Sequence, residues 1–175
     1  MAASTISTTQ ITNQSTQQLF ERYNALSVDD KLALLYYVYE DMGDSITPAA
    51  PSAADPDLAR PLAEELFALS KDDQLEAMRA IVARKDAPLS KRYGGLSPNN
   101  QLLVWYVWAE AMGDRVVDLP KGYKASADVK TMLSLIEGIE FQEQITLLRE
   151  AATQMGYSQV SNPPSQAETG KTNSL

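Results

Sequence analysis

The residues of this chain best suited to act on another molecule are two aromatic clusters. One holds Tyr36, Tyr37 and Tyr39; the other holds Trp105, Tyr106 and Trp108. Tyr36 and Tyr39 lie three residues apart, as do Trp105 and Trp108, so on a helix each pair shares a face. Such rings supply flat, stackable surface with a polar tip. That is binding chemistry. Catalytic chemistry is thinly provided: the 175 residues include no cysteine and no histidine. Disulfides, thiolate and imidazole metal ligands, cysteine nucleophiles and histidine general bases are therefore excluded. Carboxylates and lysines remain, but no local arrangement of them suggests an acid–base site. The expectation is a binding protein that is not an enzyme, with no catalytic residues and no metal.

Charge narrows the partners further. The formal net charge is −8, which argues against nucleic acid, because neutralising phosphates needs a basic face. No run of 18 apolar residues exists, so the chain is not expected to span a membrane. Residues 1–18 lack the basic start and apolar stretch of a signal peptide, which points to a cytoplasmic protein. Residues 1–15, rich in Ser, Thr and Gln, read as a disordered arm, and 158–175, with Pro163-Pro164 and Gly170, as a disordered tail. The folded domain is expected over 16–157.

The elements that must carry the rings are helices. Ser27 with Asp30, and Ser70 with Asp73, resemble capping boxes. Asp55-Pro56 and Ser97-Pro98 each place a cap before a proline at the first helical position, and Ser126 can cap another helix. Gly43, Gly113 and Gly156 each follow a methionine and read as stops. Between these marks run apolar faces: Leu32, Leu35, Tyr36, Tyr39 and Met42; Leu58, Leu62, Leu66 and Leu69; Leu102, Trp105, Ala109 and Met112; Val129, Met132, Leu133 and Ile136. No convincing strand pattern appears, so the fold class is all-α.

The chain also repeats itself at a shift of 70 residues. Leu26-Ser27 matches Leu96-Ser97, Met42-Gly43-Asp44 matches Met112-Gly113-Asp114, and Gln74 and Arg79 match Gln144 and Arg149. Two modules are too few for a solenoid. A pseudo-twofold pair fits better, with its interface as a natural ligand site. By residue physics alone the aromatic clusters keep two readings: ordinary core and boundary aromatics, or rings brought from both modules onto one flat apolar ligand.

A resemblance sharpens the second reading. The stretch from Asp30 to Gly43 (DKLALLYYVYEDMG) is similar to the N-terminal domain of the orange carotenoid protein family. So are Ile46–Pro51, Leu96-Ser-Pro-Asn-Asn with Trp105-Tyr106, Leu119-Pro-Lys-Gly-Tyr123 and Gln144–Arg149. These cover nearly all of 20–157 in the right order. Because the chain stops without a light-sensing second domain, it most resembles the stand-alone helical carotenoid proteins.

The resemblance implies two interleaved four-helix bundles with a keto-carotenoid, canthaxanthin or echinenone, threaded between them. It places the ring-stacking tyrosine on Tyr39 and its tryptophan partner on Trp105. Other lining positions fall on Leu32, Tyr36, Leu102, Leu103, Ala109, Met112, Leu119, Ile145 and Thr146. Tyr36 stands where the family has a tryptophan, and Ala109 where it has a glycine, changes that could reshape the tunnel and tune colour. Arg149 matches an arginine that contacts the phycobilisome, the partner-contact candidate here; its plain alternative is a surface pair with Glu143 or Glu150. Arg84-Lys85 with Lys91-Arg92 form a basic patch in an acidic chain, and two of these residues are read as compensating a helix C-terminus.

The implied function is cyanobacterial photoprotection: quenching of singlet oxygen and dissipation of excitation energy through the bound pigment. Its relatives by resemblance also suggest a phycobilisome fluorescence quencher, or a carotenoid carrier to a separate C-terminal-domain-like protein. A pigment-free helical scaffold is the alternative from a different class. The resemblance would place the protein in the cytoplasm, peripheral to phycobilisomes and the thylakoid surface. With no second domain, light-driven switching is expected to be absent.

Overall fold

The structure is a computed structural model that describes residues 14–46 and 55–158. The expected arm up to residue 13, the tail from 159 and most of the Ile46–Pro51 motif lie outside the described residues. So does the side chain of Met42. Eight helices are described: α1 (Gln14–Asn24), α2 (Val28–Ile46), α3 (Pro56–Phe67), α4 (Lys71–Val82), α5 (Pro88–Gly94), α6 (Pro98–Glu110), α7 (Ala127–Glu137) and α8 (Phe141–Thr153). Among the described residues there is no strand, only an isolated bridge between Met112 and Val116. The fold is all-α, as the periodicity indicated. Helix α1 starts at Gln14, so the last two residues of the expected arm are helical.

The capping residues act as their types suggest. Ser70, Ser97 and Ser126 each accept a hydrogen bond from the N–H three residues on, and Ser27 does the same for Asp30. Each satisfies a donor that the first helical turn leaves orphaned. Asp55 accepts from the Asp57 N–H ahead of a proline at the first helical position. Of the glycine stops, Gly113 and Gly156 take φ of 84° and 85°, a conformation glycine adopts freely. Gly43 does not end its helix, because α2 continues to Ile46. A glycine inside a helix costs only about 1 kcal/mol relative to alanine, too little to stop a helix that other residues hold.

Packing follows the apolar stripes, with one correction. On α3 the inward face is Ala59, Leu62, Ala63 and Leu66. Leu58 and Leu69, expected on that face, are exposed at 59% and 37%. The true stripe has the i, i+3, i+4, i+7 spacing, and Leu58 lies one position off it. Helix α1 packs on α7 and α8, and α2 on α7. Helix α3 packs on α4, α5 and α6, and α4 on α5. Contacts of α2 with α4 and α6, and of α6 with α8, join these groups.

Hydrogen bonds reproduce the 70-residue repeat. The Gln74 amide donates to the Leu66 carbonyl at 3.0 Å, and Gln144 to the Ile136 carbonyl at 2.9 Å. Arg79 bonds Asp29, and Arg149 bonds Asn99. Donors and acceptors are displaced by the same 70 positions in both cases. The acceptors Asp30 and Asn100 are also 70 apart: Asn100 accepts from the backbone N–H of Asp55 at the start of α3, while Asp30 accepts from the Ser126 hydroxyl at the start of α7.

Candidate functional site

A cavity of about 260 Å³ lies among α2, α4, α6 and the segment that follows α6. Helix α2 brings Leu32, Leu35 and Tyr36 to it, beside Ala33. These half-buried positions alternate with Leu34 and Val38, which are buried in the core. One helix thus serves core and cavity from adjoining faces. Helix α4 contributes Leu75, Met78 and Arg79; α6 contributes Trp105, Trp108 and Ala109. Met112, Val116, Val117, Leu119 and Tyr123 close the remaining side.

That last wall is irregular backbone held by a buried side chain. The Gln74 amide donates to the Arg115 carbonyl at 2.9 Å and accepts from the Val117 N–H at 2.8 Å. Gln74 is 1% exposed, and burying an amide is tolerable only when it is bonded in this way. The turn into the segment uses Gly113, whose N–H reaches the Val116 carbonyl at 2.9 Å. Outside it, the Arg115 guanidinium sits 4.2 Å from the centre of the Phe67 ring, and Lys71 donates to the Asp114 carbonyl.

The two indoles are fixed. Trp108 donates to the Ala63 carbonyl at 3.0 Å, and Trp105 to the Tyr93 hydroxyl at 2.9 Å, which in turn donates to the Ala152 carbonyl at 2.7 Å. The rings meet edge to face with centroids 5.1 Å apart. Their N–H groups are therefore satisfied by partners outside the cavity wall, and the wall is left with ring carbon. Burial holds the Tyr93 hydroxyl well above its ordinary pKa, so it stays neutral.

Charged side chains stand at the rim. Arg79 makes a two-point contact with Asp29, at 2.8 and 3.1 Å, and reaches Glu76 at 2.9 Å. Bonds to Asp29 and then Glu76 raise its pKa further. Tyr36 donates to Glu40 at 3.2 Å; burial first, then the Glu40 charge, raises its pKa. Among the described residues no cluster of three Asp or Glu could hold a metal ion. With apolar and aromatic walls, the site can solvate an apolar molecule.

The structure brings together Leu32, Tyr36, Trp105, Ala109, Met112 and Leu119 of the expected lining residues. Tyr39, Leu102, Leu103, Ile145 and Thr146 are not on this wall. Tyr39 meets Tyr106 edge to face at 5.5 Å. Ile145 is buried in the core, and Thr146 donates to the Gln142 carbonyl. Arg149 donates to Asn99 at 2.9 Å. The patch at Lys91 and Arg92 is paired with Asp86 and Glu65.

Sequence reasoning missed Ala33, Leu75, Met78 and Arg79. A signal was available for two of them. Leu103 and Ile145 are the 70-residue counterparts of Ala33 and Leu75, just as Leu102 is of Leu32 and Ala109 of Tyr39. Four of the five expected residues off the wall, Tyr39, Leu102, Leu103 and Ile145, are thus repeat counterparts of residues that line the cavity.

Fold and site define a helical domain built around an apolar, aromatic-walled cavity. Comparison with known proteins gives its family. The family model described as the orange carotenoid protein N-terminal domain matches residues 9–158. A Nostoc sp. PCC 7120 protein named orange carotenoid-binding domain-containing protein is 42% identical over 135 residues, covering 77% of this chain and 79% of its own. The orange carotenoid-binding protein of Synechocystis sp. PCC 6803 is 38% identical over 138 residues; the match covers 78% of this chain and 44% of that protein. Among solved structures, the Anabaena (Nostoc) sp. PCC 7120 red carotenoid protein binding canthaxanthin superposes with a TM-score of 0.73 at 31% identity, over 82% of this chain and 99% of that one. The orange carotenoid protein of that organism, also binding canthaxanthin, gives 0.75 at 29% identity, over 90% and 50%. This chain belongs to the orange carotenoid protein N-terminal domain family.

Proposed function

We propose that this protein is a carotenoid-binding photoprotective protein whose cavity holds part of a keto-carotenoid, canthaxanthin or echinenone. The bound pigment accepts energy from singlet oxygen, or from the pigments that generate it, and releases it as heat. The protein solubilises and positions it; no chemical step on the polypeptide is required. The observation that carries this reading is the apolar cavity walled by Trp105, Trp108, Tyr36 and Met112 in a chain of this family.

A polyene offers almost no hydrogen bonding, so its affinity must come from apolar burial, at roughly 25 cal/mol per Å² before binding costs. The cavity is smaller than the about 300–1,000 Å³ that holds a drug-sized ligand, and a carotenoid is longer than most drugs. The ligand therefore has to extend beyond it. Repeat symmetry supplies the direction: Tyr39, Leu102, Leu103 and Ile145 form the counterpart of the observed wall. In this reading Leu35 and Trp105, which are each other's 70-residue counterparts and both line the cavity, sit where the two halves meet.

A second reading, docking to a phycobilisome, is favoured by Arg149. Its counterpart Arg79 is neutralised by Asp29 and Glu76, whereas among the described residues the Arg149 side chain meets the neutral Asn99 amide. Its charge is left for an acidic partner. Among the described residues no helix is long and apolar enough to cross a membrane, so contact with a photosynthetic membrane would be peripheral.

The decisive experiment is a visible spectrum of the protein purified by gel filtration from a host that makes canthaxanthin. A strong, red-shifted carotenoid band co-eluting with the protein is expected. A folded, colourless protein would refute the proposal. Adding the coloured protein to phycobilisomes then separates the two readings: loss of their fluorescence marks docking, while protection from singlet oxygen without it marks a scavenger.

A further inference from the structure

One residue of the cavity lining carries a buried polar group that no described residue satisfies. Tyr123 lines the cavity, and its hydroxyl is shielded from solvent yet has no hydrogen-bond partner among the described residues. Its position is fixed by local backbone: Gly122 turns the chain with φ of 78°, and the Tyr123 N–H closes onto the Pro120 carbonyl at 2.9 Å. The carboxylates whose charges act on it are already engaged. Asp29 is held by Arg79, and Asp30 accepts from Ser126 at 3.1 Å. Burial first, then Asp30, Tyr37 and Asp29, raise the Tyr123 pKa, so the hydroxyl keeps its proton and remains a donor. A shielded donor without an acceptor is costly and uncommon in a native protein.

We propose that the Tyr123 hydroxyl is the specificity-determining donor of this cavity and binds a carbonyl oxygen on the end ring of the pigment. This rests on the carotenoid-binding reading and deepens it. A hydrocarbon pigment fills the same apolar wall but leaves the donor orphaned. A ketone-bearing pigment satisfies it. The protein therefore selects keto-carotenoids by one hydrogen bond, while apolar burial supplies the affinity for either. Selection by an otherwise orphaned polar group is strong for its size, because the wrong ligand incurs the desolvation cost without the compensating bond.

The test uses the full chain made in a host accumulating both canthaxanthin and β-carotene, with the bound pigments extracted and their ratio compared with that of the host membranes. Wild type is expected to enrich canthaxanthin by about tenfold, the scale of one hydrogen bond to a shielded donor. Tyr123→Phe is expected to bind a similar total of pigment with that enrichment abolished. Infrared difference spectra give a second readout: the C=O stretch of bound canthaxanthin should lie lower in wild type than in Tyr123→Phe. Equal enrichment in the two proteins, or no enrichment in wild type, overturns the assignment while leaving carotenoid binding intact. A colourless wild type instead removes the functional reading beneath it.

Discussion

Gln74 ties the fold to the cavity, and replacing it measures how much. The side chain makes three short bonds: to the carbonyls of Leu66 and Arg115 at 3.0 and 2.9 Å, and from the Val117 N–H at 2.8 Å. Gln74→Ala removes all three and places no polar atom in reach. Each net bond is worth about 1 kcal/mol, and a buried group left unpaired costs about 1–3 kcal/mol. Water reaching the Arg115 carbonyl and the Val117 N–H, whose bonds are only partly buried, recovers part of that, so the expected loss is about 3 kcal/mol. For a domain of this size the melting temperature should fall by about 6–12 °C. Urea unfolding provides the assay, with a lower midpoint and an unchanged slope. Hydrogen exchange supplies a local check, because the Val117 N–H should lose its protection. A loss below about 1 kcal/mol, or an unchanged Val117 amide, would refute the claim that this residue holds the cavity wall.

Two further predictions address stability elsewhere. Gly156 and Gly122 both have positive φ, but a Cβ on Gly156 would lie 2.6 Å from a Tyr93 ring carbon and 3.0 Å from Gly94 backbone, whereas one on Gly122 meets nothing within 4 Å. Gly122→Ala should cost about 1–2 kcal/mol for the conformation alone; Gly156→Ala should cost at least twice as much, and equal midpoints in urea would refute the contrast. The Glu150 carboxyl is held above its ordinary pKa by burial, offset in part by Gln154. A raised folded-state pKa favours the native protein below the unfolded value, near 4.5, and that contribution is lost as pH rises through the folded value. Glu150→Gln should therefore raise the melting temperature at pH 7 and lose its advantage below about pH 4; a uniform shift at both pH values would contradict this.

Legibility in the sequence followed the range of the interaction. Ser70, Ser97 and Ser126 act within four residues, and the helix starts were readable from them. Helix α5 carries a weaker mark: Ala87 supplies no side-chain cap, and only Pro88 signals its start. Gly43 and Gly113 look alike in sequence, each after a methionine and before an aspartate. They differ because Gly113 must turn the chain toward a wall held by Gln74, 39 positions earlier, while α2 simply continues. The aromatic positions of the cavity were readable because ring chemistry stands out at helical spacing. The rim was not: Asp29 and Arg79 meet 50 residues apart, and nothing local distinguishes that pair from any other surface charges. Tyr93 was likewise unmarked, although it is fully buried and joins Trp105 to α8 through one hydroxyl.

The repeat turns the partial match of expected and observed lining residues into a prediction. If the cavity were the whole site, Tyr39, Leu102, Leu103 and Ile145 would be mere packing, and only its own walls would affect binding. If it is half of a pseudo-symmetric tunnel, the position shared by both halves controls passage between them. Leu35 holds that position: it lines the cavity, is only partly buried, and is the counterpart of Trp105. Leu35→Trp would place a second indole opposite the first. Overfilling a packed position costs about 1–3 kcal/mol, so the protein should still fold, with helical circular dichroism unchanged. A ligand confined to the cavity would be crowded but retained, and a short apolar probe should still bind. A long pigment would be stopped at the throat, and loading in a canthaxanthin-producing host should fall at least about tenfold, the factor that 1.4 kcal/mol of lost affinity represents. Stoichiometric pigment in folded Leu35→Trp protein would show that the ligand does not pass between the two halves at this point, and that the symmetry of the chain is not the symmetry of its binding site.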